Sequence, residues 1–147
     1  MRKCVERIKP DAMVHLGDYY DDAETLQEMF PHIRLHQVAG NCDTYRAPIH
    51  AKQKLCYCVG GVMTFMTHGH RQYVKSGIDT LLSEARKYGA KLVLYGHTHI
   101  PDCHMEQDGV WVLNPGSAGS SAGIFETDGQ QVTACYILTE KELEDII

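Results

Sequence analysis

The spacing of apolar residues changes several times along the chain, and each change marks an element. Met1, Cys4, Val5 and Ile8 recur at i, i+3, i+4 and i+7, which predicts a short amphipathic helix ended by Pro10-Asp11. Ala12 to Leu16 then reads as a buried strand. Asp21 and Asp22 can cap a second helix running to Phe30, with Ala23, Leu26, Met29 and Phe30 facing inward. Ile33 to Ala39 is strand-like, and Leu55–Val59 with Val62–Thr67 predicts a hairpin around Gly60-Gly61. Ser76 starts a longer helix striped by Ile78, Leu81, Leu82, Ala85 and Tyr88, and Gly89 stops it. Lys91 to Tyr95 is a fourth core strand. Beyond residue 100 the pattern turns to short strands: Cys103–Glu106, Val110–Leu113, Ala122–Thr127 and Val132–Leu138. Asp108-Gly109 and Asp128-Gly129 supply turns between them. A polar helix begins near Thr139.

An α/β front half followed by an all-β back half fits a two-sheet αββα sandwich, with helices outside, as one domain over residues 1–147. Composition narrows this little: 44% hydrophobic and 22% charged residues exclude disorder. The net charge of −5, without a basic stripe, argues against long nucleic acids. No apolar run is long enough to span a membrane. The basic start has no apolar stretch behind it, so it is not read as a signal peptide, and the expected compartment is the cytoplasm. Six cysteines, at 4, 42, 56, 58, 103 and 135, are accordingly expected as free thiols. Cys56 and Cys58 share one strand face and read as buried thiols.

The chemistry follows the strands. Four apolar runs end in Gly17-Asp18, Gly40-Asn41-Cys42-Asp43, Thr67-His68-Gly69-His70 and Gly96-His97-Thr98-His99. The carboxyl ends of strands are where α/β sheets bind ligands, and glycine lets the backbone turn sharply there. Each end alone is ordinary turn chemistry; four together are not. Imidazole with carboxylate and amide oxygen suits manganese, zinc, iron or nickel rather than calcium. His15, His32, His36, His50 and His104 lack this setting and read as structural or surface residues. The chain is too short for a (β/α)₈ amidohydrolase barrel, and His-Glu-x-x-His is absent. Gly116 to Gly123 is rich in glycine and serine, but no Gly-Lys-Ser/Thr follows. It reads as a mobile turn.

Gly17-Asp18, Gly40-Asn41-Cys42-Asp43, Thr67-His68-Gly69-His70, Gly96-His97-Thr98-His99 and Asn114-Pro115-Gly116-Ser117, in this order, resemble the calcineurin-like metallophosphoesterases. The likeness is to their small bacterial and archaeal phosphodiesterase branch, which also contains the retromer scaffold subunit. It implies two metal ions at the strand ends, manganese first among the candidates and zinc, iron or nickel the alternatives. Asp18 would bridge both ions, Asn41, His68 and His97 would complete the second site, and His99 would belong to the first. Asp18, Asn41, His68 and His97 would be the catalytic set, with Asn41, Asp43 and His70 on the substrate. The reaction implied is attack on a phosphate ester by a metal-activated hydroxide, the substrate a small phosphodiester or a nucleotide. The family opens with a strand ending in Asp-x-His, a motif read as absent from this chain, which starts with what resembles the helix just after it. The expectation is therefore one well-formed metal site, impaired activity, and an open strand edge through which copies could pair. The alternative is a binding or scaffold protein on the same fold.

Overall fold

The structure, a computed structural model, describes residues 1–145. The chain runs α1 (Arg2–Ile8), β1 (Ala12–His15), α2 (Tyr20–Met29), β2 (Arg34–Gln37), β3 (Lys54–Val59) and β4 (Val62–Thr67). Two single-turn 3-10 segments lead to α3 (Asp79–Lys87) and β5 (Leu92–Leu94). Then come β6 (Asp102–Met105), β7 (Trp111–Asn114), β8 (Ser121–Thr127), β9 (Val132–Thr139) and α4 (Glu140–Asp145).

A five-stranded sheet, ordered β3-β4-β5-β7-β6, carries the centre of the molecule. Its middle strands β4, β5 and β7 are parallel, and the antiparallel β3 and β6 form its edges. Side chains alternate across it. Phe65, Val93 and Val112 face α3, where they pack on Leu81, Leu82 and Ala85. Met66, Leu92, Leu94 and Leu113 face the other way and meet Val14 of β1 together with Phe125 and Ile137 of the β8-β9 pair. Strands buried on both faces read as continuous apolar runs, which is why these segments stand out in the sequence. The expected second sheet is thus divided: β1-β2 is a parallel pair and β8-β9 an antiparallel pair, both laid on one face of the five-stranded sheet. Outside β1-β2, α1 and α2 cover a small core of Val5, Met13 and Ile33, with Leu26, Phe30 and Leu35 around it. The layers run helix, sheet, divided sheet, helix.

Several local expectations are corrected. Met29 points outward rather than into the core. Asp21 and Asp22 lie inside the first turn of α2, where their charge suits the helix dipole, and the cap position is Tyr19. Ser76 closes a 3-10 turn instead of capping α3, which starts at Asp79 without a side-chain cap. Cys56 is half-buried against the α3-side core, whereas Cys58, nearer the strand end, is exposed. Residues Ser117 to Ser121 form a hydrogen-bonded turn, in which the Ser121 hydroxyl donates to the Pro115 carbonyl. No described helix is long and apolar enough to cross a membrane.

Candidate metal centre at the strand ends

The oxygen donors come from the β1-β2 side. After β1 the backbone turns through Gly17, Asp18 and Tyr19, with φ of 99°, 63° and 55°. Three successive residues in the left-handed region need support, because two of them carry side chains. Asp43 supplies it. This residue is 2% exposed, and its carboxylate accepts the backbone N–H groups of Asp18 (2.8 Å), Tyr20 (3.0 Å) and Gly40 (2.7 Å). Both loops are thereby tied to one side chain. They also touch directly: a Cβ on Gly17 would stand 2.6 Å from the Gly40 nitrogen, and one on Gly40 would stand 2.2 Å from Asp18 Oδ1. Only glycine fits at either place.

The nitrogen donors come from the five-stranded sheet. His68 follows β4, and His97 follows β5 at a φ of 69°. Asn114, completely buried at the end of β7, holds the His97 turn. Its Nδ2 donates to the Gly96 carbonyl (3.2 Å) and to Thr98 Oγ1 (2.9 Å), while its Oδ1 accepts the Gly116 N–H (3.0 Å). Asp43, expected on the substrate, is instead buried with its carboxylate spent on three backbone N–H groups; it and Asn114 position the loops, roles with no local signature in the sequence.

His68 joins the two halves. Its Nδ1–H donates to the Leu16 carbonyl at 2.7 Å, and because a carbonyl only accepts, the proton is fixed on Nδ1. The lone pair on Nε2 then faces Asn41 Oδ1 at 2.9 Å, His97 Nδ1 at 3.1 Å and Asp18 Oδ2 at 3.5 Å. The Asn41 amide nitrogen is turned away, toward Cys42 Sγ at 3.5 Å. Asn41 Oδ1 and the Asp18 carboxylate accept and do not donate, so acceptors confront acceptors. A second proton on His68 would relieve this, but burial holds its pKa below the ordinary imidazole value. A divalent cation relieves it as well. Ligands held at right angles about 2.1 Å from one ion stand about 3.0 Å apart, close to these separations. A metal-binding histidine also typically donates its other ring nitrogen to a backbone carbonyl, as His68 does. The donors here touch one another directly, and no three described His, Cys, Asp or Glu side chains surround a common open point.

The other expected residues are placed less evenly. His70 lies beside the cluster, its ring centroid 5.3 Å from that of His68 and 6.0 Å from that of His97, with Nδ1 buried and unpartnered. Burial first, then the neighbouring His68, holds its pKa down. His99 is exposed, two residues beyond His97. His15, read as structural, has a buried, unpartnered Nδ1 and feels the charges of Asp43, Asp22 and Asp18, although burial still dominates and lowers its pKa. One Asp-x-His does occur, Asp102-Cys103-His104, on the edge strand β6. It is engaged elsewhere: His104 bonds Asp102 and Glu106 at 2.8 Å each, and the Tyr95 hydroxyl donates to Asp102 at 2.9 Å.

The fold is an α/β sandwich that gathers Asp18, Asn41, His68 and His97 on its strand-end loops. The chain belongs to the calcineurin-like phosphoesterase superfamily, whose domain description matches residues 1–142. A probable metallophosphoesterase of Mycoplasma pneumoniae is 30% identical over 112 residues, covering 74% of this chain. The match spans 64% of that relative's length. Among solved structures, Vps29 of Entamoeba histolytica complexed with zinc has a TM-score of 0.72 at 17% identity, covering 94% of this chain and 86% of that one. A structure described as a novel archaeal phosphodiesterase has a TM-score of 0.62 at 23% identity, covering 91% and 87%. The family is metal-dependent.

Proposed function

We propose that this chain is a metal-dependent phosphodiesterase acting through Asp18, Asn41, His68 and His97. The observation that carries this is that Asn41 Oδ1 and the Asp18 carboxylate, both acceptors, confront the lone pair of His68 Nε2, which a divalent cation reconciles. When bound, the ion supplies a Lewis acid for phosphoryl oxygens and lowers the pKa of a water ligand. The chain's own residues do the rest. Leu16 holds the His68 tautomer, Asp43 and Asn114 hold the loops, and His70 stands where a phosphate oxygen could meet its ring. His99 and a shared Asp18 are what this chain offers to a second ion, and two ligands hold a metal weakly. The reading is therefore of one firmly bound ion, manganese foremost, and slow turnover.

The test combines elemental analysis after dialysis with hydrolysis of bis(p-nitrophenyl) phosphate in Mn²⁺. About one metal per chain is expected, and Asp18→Asn or His97→Ala should lower any rate at least about a hundredfold, the scale of losing one preorganised electrostatic contact. His32→Ala should not. Metal binding without turnover of any phosphate ester would favour the second reading, a binding protein on this fold, which the exposure of His99 outside the cluster favours.

A further inference from the structure

Next to the metal centre, on the same two loops that deliver the oxygen donors, stands an exposed pair that the core does not use. Tyr19, directly after Asp18, is held at a φ of 55° with its side chain 57% exposed. A bulky residue in the left-handed region is strained, and this one gains no burial in return. The hydrogen bonds of Asp43 to Asp18 and Tyr20 on either side keep it there. The guanidinium of Arg46, from the loop that carries Asn41, lies over the Tyr19 ring, 4.9 Å from its centroid. Arg46 is also 3.4 Å from Asp21, a half-exposed ion pair that fixes its reach. On the other loop pair, Tyr73 follows His70 by three residues at a φ of 55° and is 73% exposed. Lys75 lies close enough for its charge to bear on His97. In a chain of net charge −5, the segments that carry the site's residues thus also carry two strained, exposed tyrosines and two cations.

We propose that the Tyr19–Arg46 pair is a stacking platform for a flat ring on the substrate, which makes the substrate class nucleotidyl phosphodiesters rather than glycerol-type diesters. This rests on the phosphodiesterase reading above. A tyrosine face and a guanidinium plane both stack on a nucleobase, which leaves Lys75 as the cation for its phosphate. A polyol offers nothing to the ring.

The experiment compares two esters with one leaving group, p-nitrophenyl thymidine 5′-phosphate and methyl p-nitrophenyl phosphate, on the full chain in Mn²⁺. The thymidine ester should have the higher kcat/KM by about tenfold, the scale of one base stacked on an aromatic side chain, mostly through KM. Tyr19→Asn, which tolerates the left-handed backbone but lacks the ring, should bring that ratio close to one, and Tyr19→Phe should keep it. Arg46→Gln should lower it too. Calorimetric binding of adenosine monophosphate against glycerol 3-phosphate separates this proposal from the catalytic one. If neither ester is cleaved yet the nucleotide binds more tightly in a Tyr19-dependent way, the platform stands and the phosphodiesterase reading falls. Equal binding of the two phosphates, or a ratio that Tyr19→Asn leaves unchanged, overturns the platform.

Discussion

In the five-stranded sheet, Phe65, Met66, Leu92, Val93 and Val112 are completely buried. In the β1-β2 pair the only buried strand residues are Met13 and His36. Each supplies half of the proposed metal centre, and the two halves are held by different physics. The imidazoles of His68 and His97 extend from strands fixed by apolar burial on both faces. Asp18 and Asn41 extend from a thin sheet whose loops are fixed by one buried carboxylate. A precise donor set can therefore rest partly on packing and partly on hydrogen bonds, provided something couples the halves. Here His68 does so, through its bond to Leu16.

This contrast can be broken at its strong end first. Phe65→Ala should cost about 3–5 kcal/mol of unfolding free energy, and Met13→Ala less, near the lower end of the 2–5 kcal/mol range for deleting such a side chain. Urea midpoints for the two variants measure this; equal losses would show that the β1-β2 pair is as deeply packed as the main sheet. Asp43→Asn sharpens the contrast at the clamp. It should cost about 1–3 kcal/mol, because an amide cannot accept all three backbone N–H groups. Hydrogen exchange should quicken at Asp18, Tyr20 and Gly40 while the amides of β5 stay protected. The smallest effect concerns pH. His36 of β2 is buried and meets the Tyr57 hydroxyl of β3, so this pair stitches the thin sheet to the thick one. Burial, then the nearby Arg34, depresses its pKa. Its contribution to stability is present above the unfolded imidazole pKa of about 6.5 and is lost as pH falls through the lower folded value. Chemical denaturation at pH 7.5 and 5.0 should show wild type losing more stability than His36→Gln. Parallel losses would remove His36 from the seam.

The chain's sequence is legible where the physics is local. A buried parallel strand is a continuous apolar run, and a glycine with a ligand residue after it is a short pattern, so His68 and His97 are legible with their strands. Asp18 and Asn41 are legible for the same reason. Asp43 and Asn114 are not legible in role, because their side chains act on backbone groups up to 25 residues away. The division of the second sheet is equally hidden, since a strand's partner is not written in the strand. Met29 misleads because one position on a weakly amphipathic helix can face either way. Tyr19 escapes notice because a tyrosine after Asp18 looks like any surface residue until its backbone angle and the arginine above it are seen.

The close approach of Gly17 and Gly40 bears on how this protein can vary over time. Neither position has room for a methyl group, and the atoms in the way belong to the other loop, to His68 and to Asp18 itself. Enlarging either residue displaces Asp18 or His68, and no second change nearby can open space in a backbone–backbone contact. Those two sites should be closed to drift. A few residues away, Tyr45 and Ile49 stand almost wholly in solvent, and replacing them disturbs no packing. Random mutagenesis with selection for folded protein should leave the glycines invariant while the rim diversifies. New specificities would then arise at the margin of the site, around a centre that stays the same.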